Sequence, residues 1–200
     1  MRRRAFDTIT SWVGLVTVVV LLVAGGLALW ANSFANSNVR NQLAQQQIYF
    51  PPKAAWKAAK PGGEITPAMI PYLEKYSGQE LLTGAQAEAY ADHFIAIHLS
   101  ELPYGGVYSK LSAAARANPS NAKLAALEQT SFQGTTLRGL LLEAYGFSKF
   151  GEIALWAAIA AFILAAIMAL LTALGFRHAS RTPAEAEMLA PTPKGKAKAS

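Results

Sequence analysis

Cysteine is absent from this 200-residue chain. That excludes disulfides, thiolate metal sites, cysteine redox chemistry and lipoprotein attachment. Charge is scarce as well, at 15% of residues against the ~25% usual in soluble domains. The scarcity is local. Val13 to Ala31 and Ile153 to Phe176 contain no Asp, Glu, Lys or Arg at all. Proton relays and ion pathways need ionisable groups at membrane depth, so these two segments alone do not pump or conduct. Asn118-Pro119-Ser120 fails as a glycosylation sequon because of its proline. A cysteine-free outer domain without sequons fits a bacterial envelope better than a small eukaryotic ectodomain, where disulfides are common.

What the two segments do have is length and apolarity. Each is long enough to cross ~30 Å of hydrocarbon as a helix. The expected fold is therefore an all-α membrane protein, with two transmembrane helices in a hairpin-like pair carrying a mostly helical extracytoplasmic domain. The expected boundaries are a basic N-terminus over 1–8, a first span over 9–31 and an outer domain over 32–150. A second span over 151–176 and a solvated, disordered basic tail over 177–200 follow. The first apolar run exceeds the 7–15 residues of a signal-peptide core. Trp12 and Trp30 mark its two ends, where amphipathic rings favour membrane interfaces. It is expected to stay as an anchor, although Ala31, Ser33 and Ala35 are small enough for a cleavage site. Arg3-Arg4-Ala5-Phe6 matches only a fragment of the twin-arginine export pattern.

The net charge is +6, and it lies in the flanks. Arg2, Arg3 and Arg4 against Asp7 precede the first run. Arg177, Arg181, Lys194, Lys196 and Lys198 against Glu185 and Glu187 follow the second. Between them ten basic residues face nine acidic ones. Basic flanks mark the cytoplasmic side, so both termini are expected inside and residues 32–150 outside a cell membrane. A nucleic-acid surface would put the excess on the folded domain, and no nucleic-acid partner is expected. The expected partners are the lipid bilayer and another membrane protein or a second copy of the chain.

Beyond Trp30, Ala35, Val39 and Leu43 recur at four-residue spacing, so the first helix is expected to continue as a stalk ending by Gln47. Ile48-Tyr49-Phe50-Pro51-Pro52 reads as extended, and prolines and glycines punctuate the chain to Pro71. A short helix is expected over Pro71 to Ser77, stopping near Gly78. From Ala85 to Leu102 the apolar residues fall on one arc of a helical wheel, with Glu88, Asp92 and His93 opposite. Pro103 and Gly105-Gly106 end it in a turn where glycine supplies positive φ. A further helix is expected over Val107 to Ala117. Ser120 is expected to cap a third short helix through Leu124 and Leu127, and a long helix from Thr136 runs into the second span.

Ala157, Ala161, Ala165, Ala169 and Ala173 recur every four residues along that span. Such a ridge lets helix backbones approach where no hydrophobic effect drives them together. Gly14, Ala24, Gly25, Gly26 and Ala28 are the small counterparts on the first span. The ridge suits packing of the two spans on each other, homodimerisation, or docking on a larger complex.

His93 and His98 are five apart, about 140° around a helix, so they do not form a metal pair. His93 falls on the solvated face. His98 falls within the apolar arc, with Glu101 three residues on and within reach. The pair His98 and Glu101 reads as a satisfied core pair that fixes helix docking, or as a proton or ligand site, or least of all as a catalytic one. Arg138 suits an anion, a lipid head group or a local ion pair. No catalytic residue, metal site or cofactor is expected.

Tyr90-Ala-Asp-His-Phe-Ile-Ala-Ile-His98, Gly105-Gly-Val-Tyr-Ser109, Ser131-Phe-Gln-Gly-Thr-Thr-Leu-Arg138 and Ile48-Tyr-Phe-Pro-Pro52 together resemble uncharacterised actinobacterial two-span membrane proteins. Relatives of these are sometimes labelled aromatic ring-opening dioxygenase. The resemblance covers most of residues 10–176 and implies two spans and an outer domain. An extradiol dioxygenase holds iron through several His and carboxylate ligands, and this domain offers two non-adjacent histidines. The function expected is therefore a non-enzymatic accessory or interaction subunit of the cell envelope. An extracytoplasmic ligand or pH sensor is the alternative, and a membrane-bound enzyme comes last.

Overall fold

The computed structural model of the chain describes residues 2–183 and Ala186. It is mostly helical, with no strand among the described residues. Two helices dominate, α1 over Arg3–Ala44 and α7 over Ala122–Arg181. Both are long and apolar enough to cross a membrane. Shorter elements lie between them: α2 (Lys53–Trp56), α3 (Ile70–Leu73), α4 (Gly84–Tyr90), α5 (Ala96–Ser100) and α6 (Tyr108–Ala117). The chain divides into two compact units, one of Met1–Trp30 with Ala154–Ser200, the other of Ala31–Ile153.

The first unit is an antiparallel helix pair. Along α1 a line of covered positions runs through Asp7, Ser11, Gly14, Val18, Leu21, Gly25 and Ala28, at alternating intervals of four and three, with Thr8 and Thr17 half-buried beside it. Along α7 they are Ala158, Ala161, Ala165, Met168, Thr172, Gly175 and Ala179, again alternating. That is a heptad repeat, the 3.5-residue period of a left-handed coiled coil. Small residues set the spacing. A Cβ on Gly14 would stand 2.5 Å from Thr172 Oγ1, one on Gly175 2.5 Å from Ser11 Oγ, and one on Gly25 2.9 Å from the Phe162 ring. Trp12 closes one end, edge-on to Phe176 at 5.8 Å. Off the seam the apolar side chains are open: Leu27 is 63% exposed and Leu170 62%.

This seam takes up only part of the expected alanine ridge. Ala165 is buried and Ala161 half-buried, but Ala157, Ala169 and Ala173 are exposed. Four residues advance a helix by about 40° beyond a full turn, so a strict four-residue ridge winds off any single face. A seven-residue repeat drifts only ~20° per repeat, which supercoiling absorbs.

The second unit has one core, built from Val39 and Leu43 of α1, Leu141 of α7, and Phe50, Trp56, Met69, Leu73, Leu81, Ala87 and Ile95 between them. The extended segments around Tyr49 and Glu80 meet in a single antiparallel bridge, and Leu81 N–H donates to Ile48 O at 2.8 Å. Trp56 Nε1 donates to Ser77 Oγ at 2.8 Å, which ties the Pro-rich loop down. Asn32 Nδ2 donates to Gly151 O at 2.8 Å, joining α1 to α7 within this unit.

Three expected boundaries change. The helix expected over Ala85 to Leu102 runs from Gly84 to Ser100 and contains a π-helical turn at Ala91–Ile95. The third short helix and the long one are a single helix, because nothing between Leu127 and Thr136 interrupts the backbone ladder. Its cap is Asn121, not Ser120: Asn121 Oδ1 accepts from Lys123 N at 3.1 Å and Leu124 N at 3.2 Å. The tail expected to be disordered from residue 177 begins as the last turns of α7, through Arg181. Its lysines, Lys194, Lys196 and Lys198, lie outside the described residues.

Candidate functional site

The chemistry-bearing side chains of the second unit gather on α4, the π turn and α5. Thr83 starts this run with a capping box: its Oγ1 accepts from Gln86 N at 3.2 Å, and Gln86 Oε1 accepts from Thr83 N at 3.0 Å. Gly84 follows because a Cβ there would run into Ser148 of α7. The helix then widens to π geometry over Ala91–Ile95, an arrangement that admits one extra residue into the turn and is frequent at functional sites.

The widened turn carries Asp92, His93 and Phe94. Asp92 Oδ1 accepts from Arg138 Nη2 of α7 at 2.6 Å, both side chains being over a third exposed. Arg138, expected on a helix surface, is thus paired across 46 residues of sequence. Its Nε is buried without a hydrogen-bond partner. His93, expected in solvent, is half-buried and stacked flat on Tyr72, ring centroids 3.5 Å apart and planes 2° from parallel.

An aromatic ladder runs inward from the same helix. Phe50 meets Tyr90 edge-on at 5.6 Å, Tyr90 stacks on Phe94 at 4.6 Å, and Phe94 lies 4.6 Å from the His98 ring. Burial, with the negative charge of Glu64 adding to it, raises the Tyr90 phenol above its ordinary 10.0.

His98 Nδ1 lies 2.8 Å from Phe94 O. A carbonyl has no proton to give, so Nδ1 carries the hydrogen of this bond. The expected His98–Glu101 contact does not form. Glu101 is exposed and makes no ion pair among the described residues. α5 ends at Ser100 and Glu101 is its C-cap, exposed to solvent, so no continuing helix holds it three residues on against His98. Among the described residues no three His, Cys, Asp or Glu side chains converge on a common metal position.

The turn after α5 is built tightly. Tyr104, Gly105 and Gly106 take φ of 59°, 66° and 67° in succession. Ser131 Oγ donates to Gly106 O at 2.7 Å, and Gly134 admits the Leu99 side chain. Tyr104 of the turn, Tyr108 of α6 and Phe132 of α7 are all exposed, the last two 5.6 Å apart. Beside α1, a groove of about 390 Å³ opens between Val39, Gln42 and Gln46 and the α7 residues Leu137, Leu140 and Phe147.

The sequence singled out His98, Glu101 and Arg138 but missed Tyr72 and Asp92 as partners. Their signal is weak, since both lie on separate elements from the groups they meet. The arrangement holds rings and a charge pair in fixed positions. No protein-family model, curated protein or solved structure matches this chain.

Proposed function

We propose that the chain is an integral membrane protein of a bacterial cell envelope: a non-enzymatic accessory or interaction subunit. Its antiparallel helix pair spans the membrane twice, both termini face the cytoplasm, and residues 32–150 form an extracytoplasmic helical domain. The observation that carries the reading is the exposure of the helix pair. Each apolar 18-residue window is only 17% buried, so most of its leucines, valines and isoleucines face outward. In water that surface far exceeds the apolar patches of soluble monomers; in hydrocarbon it is matched to its solvent. The basic flanks support the orientation. Ala157, Ala169 and Ala173, exposed off the intramolecular seam, are small positions of α7 that let another membrane helix approach.

The absence of cysteine makes the test clean. Ser109→Cys and Ser180→Cys, both at exposed positions, are probed in whole cells with a membrane-impermeant maleimide. Residue 109 is expected to label at once and residue 180 only after lysis. Labelling of both, or the reverse order, contradicts the proposed topology. For the accessory role, solubilisation in mild detergent is expected to yield a complex larger than the monomer, and a lone monomer argues against it.

A further inference from the structure

Within the second unit α1 and α7 touch at Gly151, where a Cβ would stand 3.0 Å from the Ala35 Cβ. Farther along, the same two helices leave the groove of about 390 Å³, from Asn38 to Gln46 on α1 and from Phe147 back to Leu137 on α7. Its floor is Val39, Leu43 and Leu141, all buried in the core. The two walls differ. On α7 the wall is apolar, with Leu140 58% and Phe147 37% exposed. On α1 it is a row of amides, Asn38, Gln42 and Gln46, at four-residue spacing. Among the described residues of the lining, Glu143 alone is charged, and it is exposed.

Such a groove selects its occupant by width. Residues 137 to 147 are about 15 Å of helix, so the groove averages about 26 Å² in section. A helix with its side chains is about 10–12 Å across and overfills it. An extended peptide brings an N–H and a C=O at every residue, and Leu137, Leu140 and Phe147 have no side-chain partner for either. A single hydrocarbon chain is thin and asks for no hydrogen bond.

We propose that this groove binds the acyl chain of a single-chain lipid with an uncharged, hydroxyl-bearing head group, such as a monoacylglycerol, taken from the outer leaflet. The source of the lipid rests on the membrane-spanning reading. Amide side chains both donate and accept, which is what hydroxyl groups require. A carboxylate or phosphate head group meets Glu143 and no cation in the lining. An ammonium finds one exposed carboxylate, a pairing worth little in water. Access agrees. Leu140, Phe147 and Phe150, seven and three residues apart, share an exposed face of α7. Phe147 precedes the apolar run at Ile153 by six residues, about 9 Å of helix, so the groove's near end lies just outside the head groups.

The test uses the full chain in phosphatidylcholine vesicles with a trace of monoacylglycerol carrying a photoactivatable diazirine in its acyl chain. After illumination the labelled peptides are identified by mass spectrometry. Labelling is expected around residues 38–46 and 137–147 as well as in the two spans. A tenfold excess of plain monoacylglycerol is expected to lower the groove signal several-fold and leave the span signal, which reports bulk lipid, unchanged. Ala144→Phe, which fills the groove, and Leu140→Gln, at an exposed position, are each expected to do the same. Labelling confined to the spans, or groove labelling that excess lipid leaves intact, overturns the proposal whether or not Ala144→Phe folds. Equal competition by the fatty acid or the primary amine of the same chain length also overturns it, because the amide wall then selects nothing. Groove labelling without span labelling refutes the membrane-spanning reading instead, which separates the two failures.

Discussion

Thr172 sits directly on Gly14. A Cβ added to that glycine would stand 2.5 Å from the Thr172 hydroxyl oxygen, closer than non-bonded atoms tolerate, so the two helices meet here only because one side chain is missing. Ser11 and Gly175 repeat the relationship with the roles exchanged. Gly14→Ala is expected to destabilise the helix pair by about 1–3 kcal/mol, the usual penalty of overpacking. Gly26→Ala, with nothing within 4 Å of its added Cβ, serves as the control and is expected to be near neutral. Thermal unfolding of both variants in detergent, followed by circular dichroism, checks the difference.

A second pair of glycines separates strain from collision. Gly105 and Gly106 share nearly the same positive φ, 66° and 67°. A Cβ on Gly105 meets open space, whereas one on Gly106 runs into the Leu99 carbonyl. Gly105→Ala is expected to cost about 1 kcal/mol for the left-handed conformation alone. Gly106→Ala is expected to cost several times more, because backbone must move. Equal losses in denaturant titrations would refute the close approach.

His98 and Glu101 part company energetically. His98→Ala loses a bond to the Phe94 carbonyl and a ring contact, and is expected to cost about 1–2 kcal/mol. Glu101→Ala, at an exposed position, is expected to stay within about 0.5 kcal/mol. Had the two formed a buried pair, both substitutions would be costly and coupled. A double-mutant cycle returning a coupling above about 1 kcal/mol would restore the pair.

Tyr90 predicts the alkaline limb of stability. Its folded phenol holds its proton above the ordinary 10.0, chiefly through burial. Above pH 10 the unfolded chain therefore releases a proton that the folded chain keeps, and stability falls as pH rises until the folded Tyr90 ionises too. Tyr90→Phe is expected to flatten that fall without altering behaviour at neutral pH. Unfolding midpoints between pH 8 and 11, read beside tyrosinate absorbance, provide the check.

Much of this architecture is legible in the sequence, because charge-free apolar runs and Pro-Gly punctuation are strong local signals. The stalk positions Ala35, Val39 and Leu43, the stop near Gly78 and the positive-φ turn at Gly105-Gly106 all follow from spacing and residue type. Two kinds of feature do not. The π turn at Ala91–Ile95 has no composition of its own, so a uniform 3.6-residue wheel puts His93 in solvent, whereas it is half-buried and stacked on Tyr72. The helix-pair seam has a pattern, but in small and polar residues: Ser11, Gly14, Gly25, Thr172 and Gly175. Gly14 and Gly25 are legible as small positions of the first span, but reading the second span for alanines alone passes over Ser11, Thr172 and Gly175. Where lipid is the solvent, the buried face is the one with the smallest side chains rather than the greasiest.

The central claim is that two membrane helices of one chain meet along a heptad seam that includes Ser11 and Gly175. Disulfide formation in native membranes tests it most directly, again helped by the cysteine-free background. Ser11→Cys with Gly175→Cys is expected to cross-link within one chain, giving a monomer of altered gel mobility. Ser11→Cys with Ala173→Cys, whose second position is exposed off the seam, is expected to remain reduced under the same mild oxidant. Cross-linking of the Ala173 pair in preference to the Gly175 pair, or cross-links only between chains, would contradict the account.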